Sequence, residues 1–503
     1  MMERKKYSGM MLVAILIFVL TVVGFGQQAQ PVQQSPQQLA QVQQQQQAPP
    51  SQATPQKLPE GKVTISPEPE EQAPEHHLTK AEADELFKSI DEILAFVSKD
   101  TGLPIRHPVK RQLATREFVV KYLEQHMKED KDAERLERSE ASLKKFRLLP
   151  KDFDLRPFLL SMLKEQVAGF YDPKTKTMYL LDWVEPEAQK TVLAHELTHA
   201  LQDQNYGMEK WMEAGKESKN LTQDMERDER QSAREAVLEG QGMIAMMDYM
   251  MAPQGLKVTD APQLVEAMRA GMTSSAPNSP TFTSAPKFLQ DIMIFPYSDG
   301  MNFVLQVLLK KGTAGGFAGV LENPPSTTRN IMEPKTYLAN EPMPQIEVAN
   351  VDEVLGKAWQ RWDYGYMGEY DVALLMRQWF DRATADKVSP GWRGGYYLAY
   401  RKNDKKVARD ARIAPEDLAL TYISKWESPE QARTFAKLYS DGIEKRYAKA
   451  VVTKPFGEGN RAEWSTEEGP MIIEARGNTV FVNESFDTAT ADRLRDAEMA
   501  AWK

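Results

Sequence analysis

His195, Glu196 and His199 stand in the order H-E-x-x-H inside the run Thr191 to Gln204, TVLAHELTHALQDQ. The run favours a helix, and Leu193, Ala194, Leu197, Ala200 and Leu201 make that helix a buried one rather than a charged surface one. Residues four apart lie one turn above each other on the same helix face. His195 and His199 can therefore both send a ring nitrogen to one tetrahedral Zn²⁺. Glu196 is rotated by about 100° from His195, so its carboxylate can reach a water without ligating the ion. Two neutral nitrogen ligands, an open position and a carboxylate base are the parts of metal-assisted hydrolysis. The alternative is a helix that keeps the same three residues for packing.

A third ligand must come from elsewhere in the chain. The 503 residues hold six histidines, none after His199, and no cysteine. This excludes the arrangement with a third downstream histidine and excludes thiolate ligands, leaving a carboxylate. The segment Ser232 to Gly242, SAREAVLEGQG, runs into the apolar stretch Met243 to Met251 and predicts a second helix. It carries Glu235 and Glu239 one turn apart.

HELTHALQDQ resembles the zinc helix of thermolysin-like peptidases, which makes the chain similar to a gluzincin. That resemblance implies a glutamate ligand on the next long helix. Glu235-Ala236-x-x-Glu239 is similar to the thermolysin form, in which the first acid binds zinc and the second braces a histidine. Leu238-Glu239-Gly240 is similar to the aminopeptidase form, in which the acid before the glycine binds zinc. We expect Glu239 as the ligand, with Glu235 the alternative, because Gly240 and Gly242 would let the second helix approach the first closely. The acid that does not ligate is expected to orient a histidine through its far ring nitrogen. Thirty-nine residues separate His199 from Glu239, a longer gap than in thermolysin, so Asn205 to Gln231 is expected to form an inserted, solvated loop without chemistry.

Gln166 to Leu181, QVAGFYDPKTKTMYLL, predicts a β-hairpin turning at Asp172-Pro173-Lys174-Thr175. In gluzincins a strand just before the zinc helix forms the upper rim of the cleft and pairs with extended substrate. The resemblance implies that Val167 to Asp172 or Thr177 to Asp182 plays this part, unless the hairpin merely covers the helix. Further on, Phe295-Pro296-Tyr297-Ser298-Asp299-Gly300 opens an apolar helix, Met301 to Lys310. Pro324 to Arg329, Glu333 to Leu338 and Gly391 to Tyr397 follow. In this order the segments resemble a little-characterised family of secreted bacterial metallopeptidases over roughly Val167 to Trp464. One departure is Glu333-Pro334, where the family pattern has His-Pro. It removes a histidine that might serve the transition state and leaves Tyr297, Tyr337 or Arg329 as candidates for polarising a carbonyl, against a purely structural role for each.

The elements that position these residues follow from composition. Arg4, Lys5 and Lys6 precede an apolar run, Met10 to Val23, whose 14 residues are short for a bilayer span and read as an export signal. Residues 27–77 are rich in Gln, Pro and Ala and cannot bury enough apolar surface to fold. Leu78 to Leu149 predicts two or three amphipathic helices, one starting at Thr79-Lys-Ala-Glu. From about Glu347 onward, strands are expected at Trp392 to Tyr400 and Leu418 to Trp426, with a hairpin at Gly469 to Asn483 and a helix over Gln431 to Val451.

The expected fold class is α+β. Residues 1–26 form a signal peptide, 27–77 a linker, 78–345 a zincin-like domain with a mostly helical zinc-binding core, and 346–503 an α+β accessory domain. The expected function is an exported zinc-dependent peptidase, periplasmic or extracellular, acting on peptide or protein. Glu196 is its general base, and His195, His199 and Glu239 hold Zn²⁺. The rival readings are a non-catalytic exported binding protein on the same fold and a zinc amidohydrolase of a non-peptide substrate. A net charge of −9 with small mixed basic clusters excludes a nucleic-acid partner. Membrane contact is expected only through an uncleaved signal.

Overall fold

The helix that carries the H-E-x-x-H residues begins at Pro186, whose missing N–H costs nothing in a first turn, and stops at Gly207 in the left-handed conformation. Around it the computed structural model describes residues 77–129, 132–166, 169–213, 218–274, 280–403, 413–457 and 459–502. The expected signal and all of the expected linker except His77 lie outside these residues.

The chain is a mixed helix-and-sheet, α+β structure. Its first part contains α1 (Lys80–Thr101), β1 (Lys110–Ala114), α2 (Arg116–Glu129), α3 (Asp132–Lys145) and α4 (Leu155–Gln166). α1 starts with the capping box expected at Thr79 and Glu82. β2 (Phe170–Asp172) and β3 (Thr177–Leu181) form the expected hairpin, and then come α5 (Pro186–Tyr206), α6 (Met208–Met212) and α7 (Leu221–Met251). After α8 (Gln263–Ser274), the long α9 (Lys287–Ala314) carries Pro296 within it and runs into a π-helical turn at Gly315–Gly319.

The inserted loop expected over Asn205 to Gln231 is not a loop. α6 and the first turns of α7 occupy most of it, and Met225, Glu226 and Glu229 are buried there. The charged sequence conceals a helix because its acids are used inside the protein. Glu229 accepts from the Thr328 N–H and hydroxyl at 2.7 and 2.8 Å. The strand β1 was not expected either. It pairs parallel with β3, whose other side pairs antiparallel with β2, so the order is β1-β3-β2.

α7 and α9 cross at their glycines. A Cβ on Gly240 would stand 2.3 Å from the Gly300 carbonyl carbon and oxygen, and one on Gly300 would stand 2.0 Å from the Ala236 oxygen. Only hydrogen fits between the two backbones. Gly240 thus serves the approach of α7 to α9 rather than to the zinc-motif helix, as had been expected. Gly242 does meet α5, since its Cβ would lie 2.7 Å from the His195 ring.

The C-terminal part is built on a seven-stranded antiparallel sheet with the order β4-β5-β6-β10-β9-β8-β7. The expected strands are β5 (Trp392–Lys402) and β6 (Leu418–Trp426), and the expected hairpin is β9 (Gly469–Arg476) with β10 (Thr479–Glu484). β4 spans Trp359–Tyr366, β7 Val451–Lys454 and β8 Arg461–Thr466. The expected helix over Gln431 to Val451 is shorter, ending at Asp441, with a separate turn at Ile443–Arg446 before β7. Buried side chains from Leu86 to Trp502 form one contiguous cluster that joins the sheet to α5, α7 and α9.

Candidate metal centre

α5 and α7 bring His195, His199 and Glu239 together, all buried. His195 Nε2 lies 3.0 Å from Glu239 Oε2 and 3.0 Å from His199 Nε2, and His199 Nε2 lies 3.5 Å from the same Glu239 oxygen. A tetrahedral ion with bonds of about 2.0–2.1 Å has ligand–ligand edges of about 3.3 Å, which the three distances bracket. The donor set of two imidazoles and one carboxylate also suits zinc.

Burial opposes charge throughout the cluster. It would raise the Glu239 carboxyl, yet His199 and His195 draw that group down to about 2. Burial pushes Glu196 up to about 8 against the opposing pull of His199 and of the Tyr171 N–H. Among the alternatives, Glu235 is one turn away on α7 and is also buried, and desolvation together with Glu239 holds its carboxyl well above the ordinary range.

Glu235 does not brace a histidine, contrary to expectation. The His199 Nδ1 position is held instead by Gln202 Oε1 at 2.8 Å, and the buried His195 Nδ1 has no hydrogen-bond partner among the described residues. Gln202 was missed by the reading of the sequence although it stands inside the quoted motif. Its position three residues after His199, on the same helix face, was the available signal.

Glu196 is fixed by the hairpin. The Tyr171 N–H donates to Glu196 Oε2 at 2.9 Å. The hairpin is in turn tied to α5 through Asp203, which accepts from the Tyr171 hydroxyl at 2.8 Å and from Lys176 Nζ at 2.6 Å. Gln189 closes the other end, accepting from the Leu181 N–H and donating to the Leu181 and Val184 carbonyls. Of the two strands considered for the rim, β3 is paired on both sides and β2 on one, and on its other side the Tyr171 N–H is taken by Glu196.

Of the three candidates for polarising a carbonyl, only Tyr297 reaches the cluster. It is buried, its hydroxyl hydrogen-bonds Glu239, and its ring lies 6.2 Å from that of His195. The Tyr337 hydroxyl donates to the Asn323 carbonyl at 2.8 Å. Arg329 is bound to Glu369 at 2.6 Å and Glu341 at 2.9 Å, a structural tie between segments. A cavity of about 490 Å³ is lined by Lys311, Asn323, Ser326, Asn330, Tyr337 and Glu341 among others, and no member of the cluster lines it.

A family model described as "Domain of unknown function (DUF8575)" matches residues 355–495. No curated protein matches the chain. Among solved structures, the chain is similar to a proposed hydrolase with a novel fold from Chloroflexus aurantiacus, at 14% identity and a TM-score of 0.31, over 52% of this chain and 90% of that one. The family match lies wholly within the sheet-bearing part and begins downstream of the His-Glu-His cluster.

Proposed function

We propose that this protein is an exported zinc-dependent peptidase on a zincin-like frame, with His195, His199 and Glu239 as its ligands and Glu196 as its general base. The observation that carries this reading is the convergence of three ligand atoms at 3.0–3.5 Å beside a buried carboxylate that is not itself one of them. A zinc ion held by these residues would supply Lewis acidity, polarising a carbonyl oxygen and bringing the pKa of water to about 7. Glu196 takes the proton of the attacking water and passes it to the leaving amine nitrogen. Tyr297, whose hydroxyl bonds Glu239, would redirect that hydrogen bond to the carbonyl oxygen as charge develops there. The side of β2 opposite β3, beside Glu196, takes an extended peptide, which favours a peptide over a non-peptide amide. The domain division at 345/346 and the location outside the cytoplasmic membrane belong to the same proposal.

A casein or peptide-library digest by the full chain, with and without chelator and beside metal analysis, tests it. Chelator-sensitive cleavage with one zinc per chain is the expected result. Zinc without cleavage would favour the binding-protein reading, and no zinc in protein supplied with it would overturn the proposal.

A further inference from the structure

The amide of Gln202 that meets His199 does not stop there. Its Nε2 donates to the Leu238 carbonyl at 3.2 Å and to Gln241 Oε1 at 2.9 Å. The Gln241 Nε2 donates in turn to the carbonyls of Gly316 and Phe317, at 2.8 and 3.0 Å, in the π-helical turn that follows α9. All members of this chain are buried. A backbone carbonyl can only accept a hydrogen bond, and a primary amide has one donating and one accepting end. Two carbonyls on Gln241 therefore compel its NH₂ to face the π turn and its oxygen to face Gln202. Leu238 and Gln241 then compel the Gln202 NH₂ to face away from α5, leaving its oxygen towards His199. An acceptor at 2.8 Å requires the hydrogen on His199 Nδ1, and the lone pair of the neutral ring is then on Nε2, the atom that points at Glu239 and His195.

We propose that Gln202 and Gln241 are positioning residues, and that the π turn at Gly315–Gly319 sets the tautomer in which His199 meets the metal. The proposal rests on the metal-centre reading above. It assigns a task to two glutamines that belong to neither the ligand set nor the base, and to a turn in a third segment of the chain. It also separates the two histidines. The Nδ1 hydrogen of His199 is held by Gln202 before any ion arrives, whereas His195 Nδ1, packed against Gly242, has no such partner among the described residues.

The test is zinc affinity of the full chain, measured by competition with a chromophoric chelator, together with urea unfolding of the metal-free protein. Gln202→Leu removes the acceptor and is expected to weaken zinc binding about 10- to 100-fold, the range typical for partners of ligand histidines. Gln202→Glu keeps an acceptor oxygen for Nδ1 but loses the donations to Leu238 and Gln241. It is expected to lower the stability of the metal-free protein while holding zinc within about tenfold of the parent. Gln241→Leu leaves the Gln202 amide directed by the Leu238 carbonyl alone and is expected to weaken zinc by less than Gln202→Leu, which keeps the test alive should that variant fail to fold. Parental affinity in both leucine variants would overturn the proposal, and so would a Gln202→Glu loss as large as that of Gln202→Leu. A parent that takes up no zinc would instead bring down the metal-centre reading itself.

Discussion

Two of the buried groups of charge in this chain are assembled on opposite rules. Beneath the C-terminal sheet, Arg446 meets Glu484 at 2.7 Å, and the same carboxylate accepts from the Tyr439 and Tyr447 hydroxyls at 2.7 and 3.0 Å. The rest of the guanidinium lies among the faces of Trp379, Tyr439 and Tyr447, its carbon 4.4, 5.4 and 5.3 Å from their centroids. Lys145 and Glu468 repeat the pattern nearby at 3.0 Å. Between α5 and α7, by contrast, two imidazole nitrogens and a carboxylate oxygen face one another, and among the described residues no lysine or arginine is paired with Glu239. The first group finds its opposite charges within the chain, although Arg446 Nε and Nη1 have no hydrogen-bond partner among the described residues. The second, on the metal-centre reading proposed above, takes its positive charge from a bound ion. Burial alone does not mark a functional site; burial with converging lone pairs does.

The sharpest way to break this contrast is at the base. Glu196→Gln is expected to keep stoichiometric zinc and to lose turnover by about 10²–10⁴-fold, since positioned acid–base catalysis contributes that much. His199→Ala is expected to lose the zinc as well. Turnover and metal content measured on the same preparations check both, and an active Glu196→Gln protein would place the chemistry elsewhere.

At the sheet the expected effect is on stability alone. Arg446→Met leaves the Glu484 charge buried without its cation, a change of the kind that costs about 3–5 kcal/mol. Urea unfolding should show that loss, and the chelator competition should show an unchanged zinc affinity in the folded fraction. A fall in zinc affinity would mean that the two groups are coupled through the shared core.

The third comparison is between two glycines. A methyl group on Gly242 meets the His195 ring at 2.7 Å, whereas one on Gly459 meets nothing within 4 Å. Gly242→Ala is expected to cost about 1–3 kcal/mol through overpacking and to weaken zinc. Gly459→Ala is expected to stay within about 0.5 kcal/mol of the parent. Equal melting temperatures and zinc affinities for the two variants would refute the role of the close approach to α5.

The smallest expected effect is one of pH. Burial raises the Glu498 carboxyl to about 8, against the opposing hydrogen bond from Thr421. The folded protein therefore keeps a proton that the unfolded chain releases above its ordinary carboxyl range. The stability this group contributes is full below about pH 4.5 and is lost as pH rises through about 8. Glu498→Gln stays neutral, so its stability relative to the parent should improve between pH 5 and pH 9. Urea midpoints at the two pH values check this, and a constant difference would show that Glu498 is not held neutral.

How far the sequence could be read follows the range of the interactions involved. The helical residues of the site were legible because periodicity and the H-E-x-x-H spacing are local, and the hairpins were legible because Asp172-Pro173 and Gly477-Asn478 punctuate them. β1 was not legible, because five short residues declare themselves only when paired with β3, more than sixty positions later. The helix through Leu221 to Gln231 was hidden because its acids look solvated until Thr328 is seen to satisfy Glu229. Glu239 could be preferred to Glu235 from the glycines beside it, but for a reason only half right, since Gly240 answers to α9. The non-ligating glutamate was expected to orient one of the two histidines, and at His199 the buried amide of Gln202 takes that place.

The contact of Gly240 with Gly300 has a consequence for how such a site can change over time. Where two helices meet through backbone atoms, the gap between them is set by covalent dimensions and not by rotamers. Tyr297 stands one turn before Gly300 on α9, and Glu239 stands immediately before Gly240 on α7, so the contact is a hard stop that indexes one to the other. Mutations that repack the surrounding core can loosen or tighten the molecule without moving that pair. Under the proposed function, variation in the substrate taken must then arise beside β2 and in the connecting segments, while the helix contact fixes the spacing of Tyr297 and Glu239.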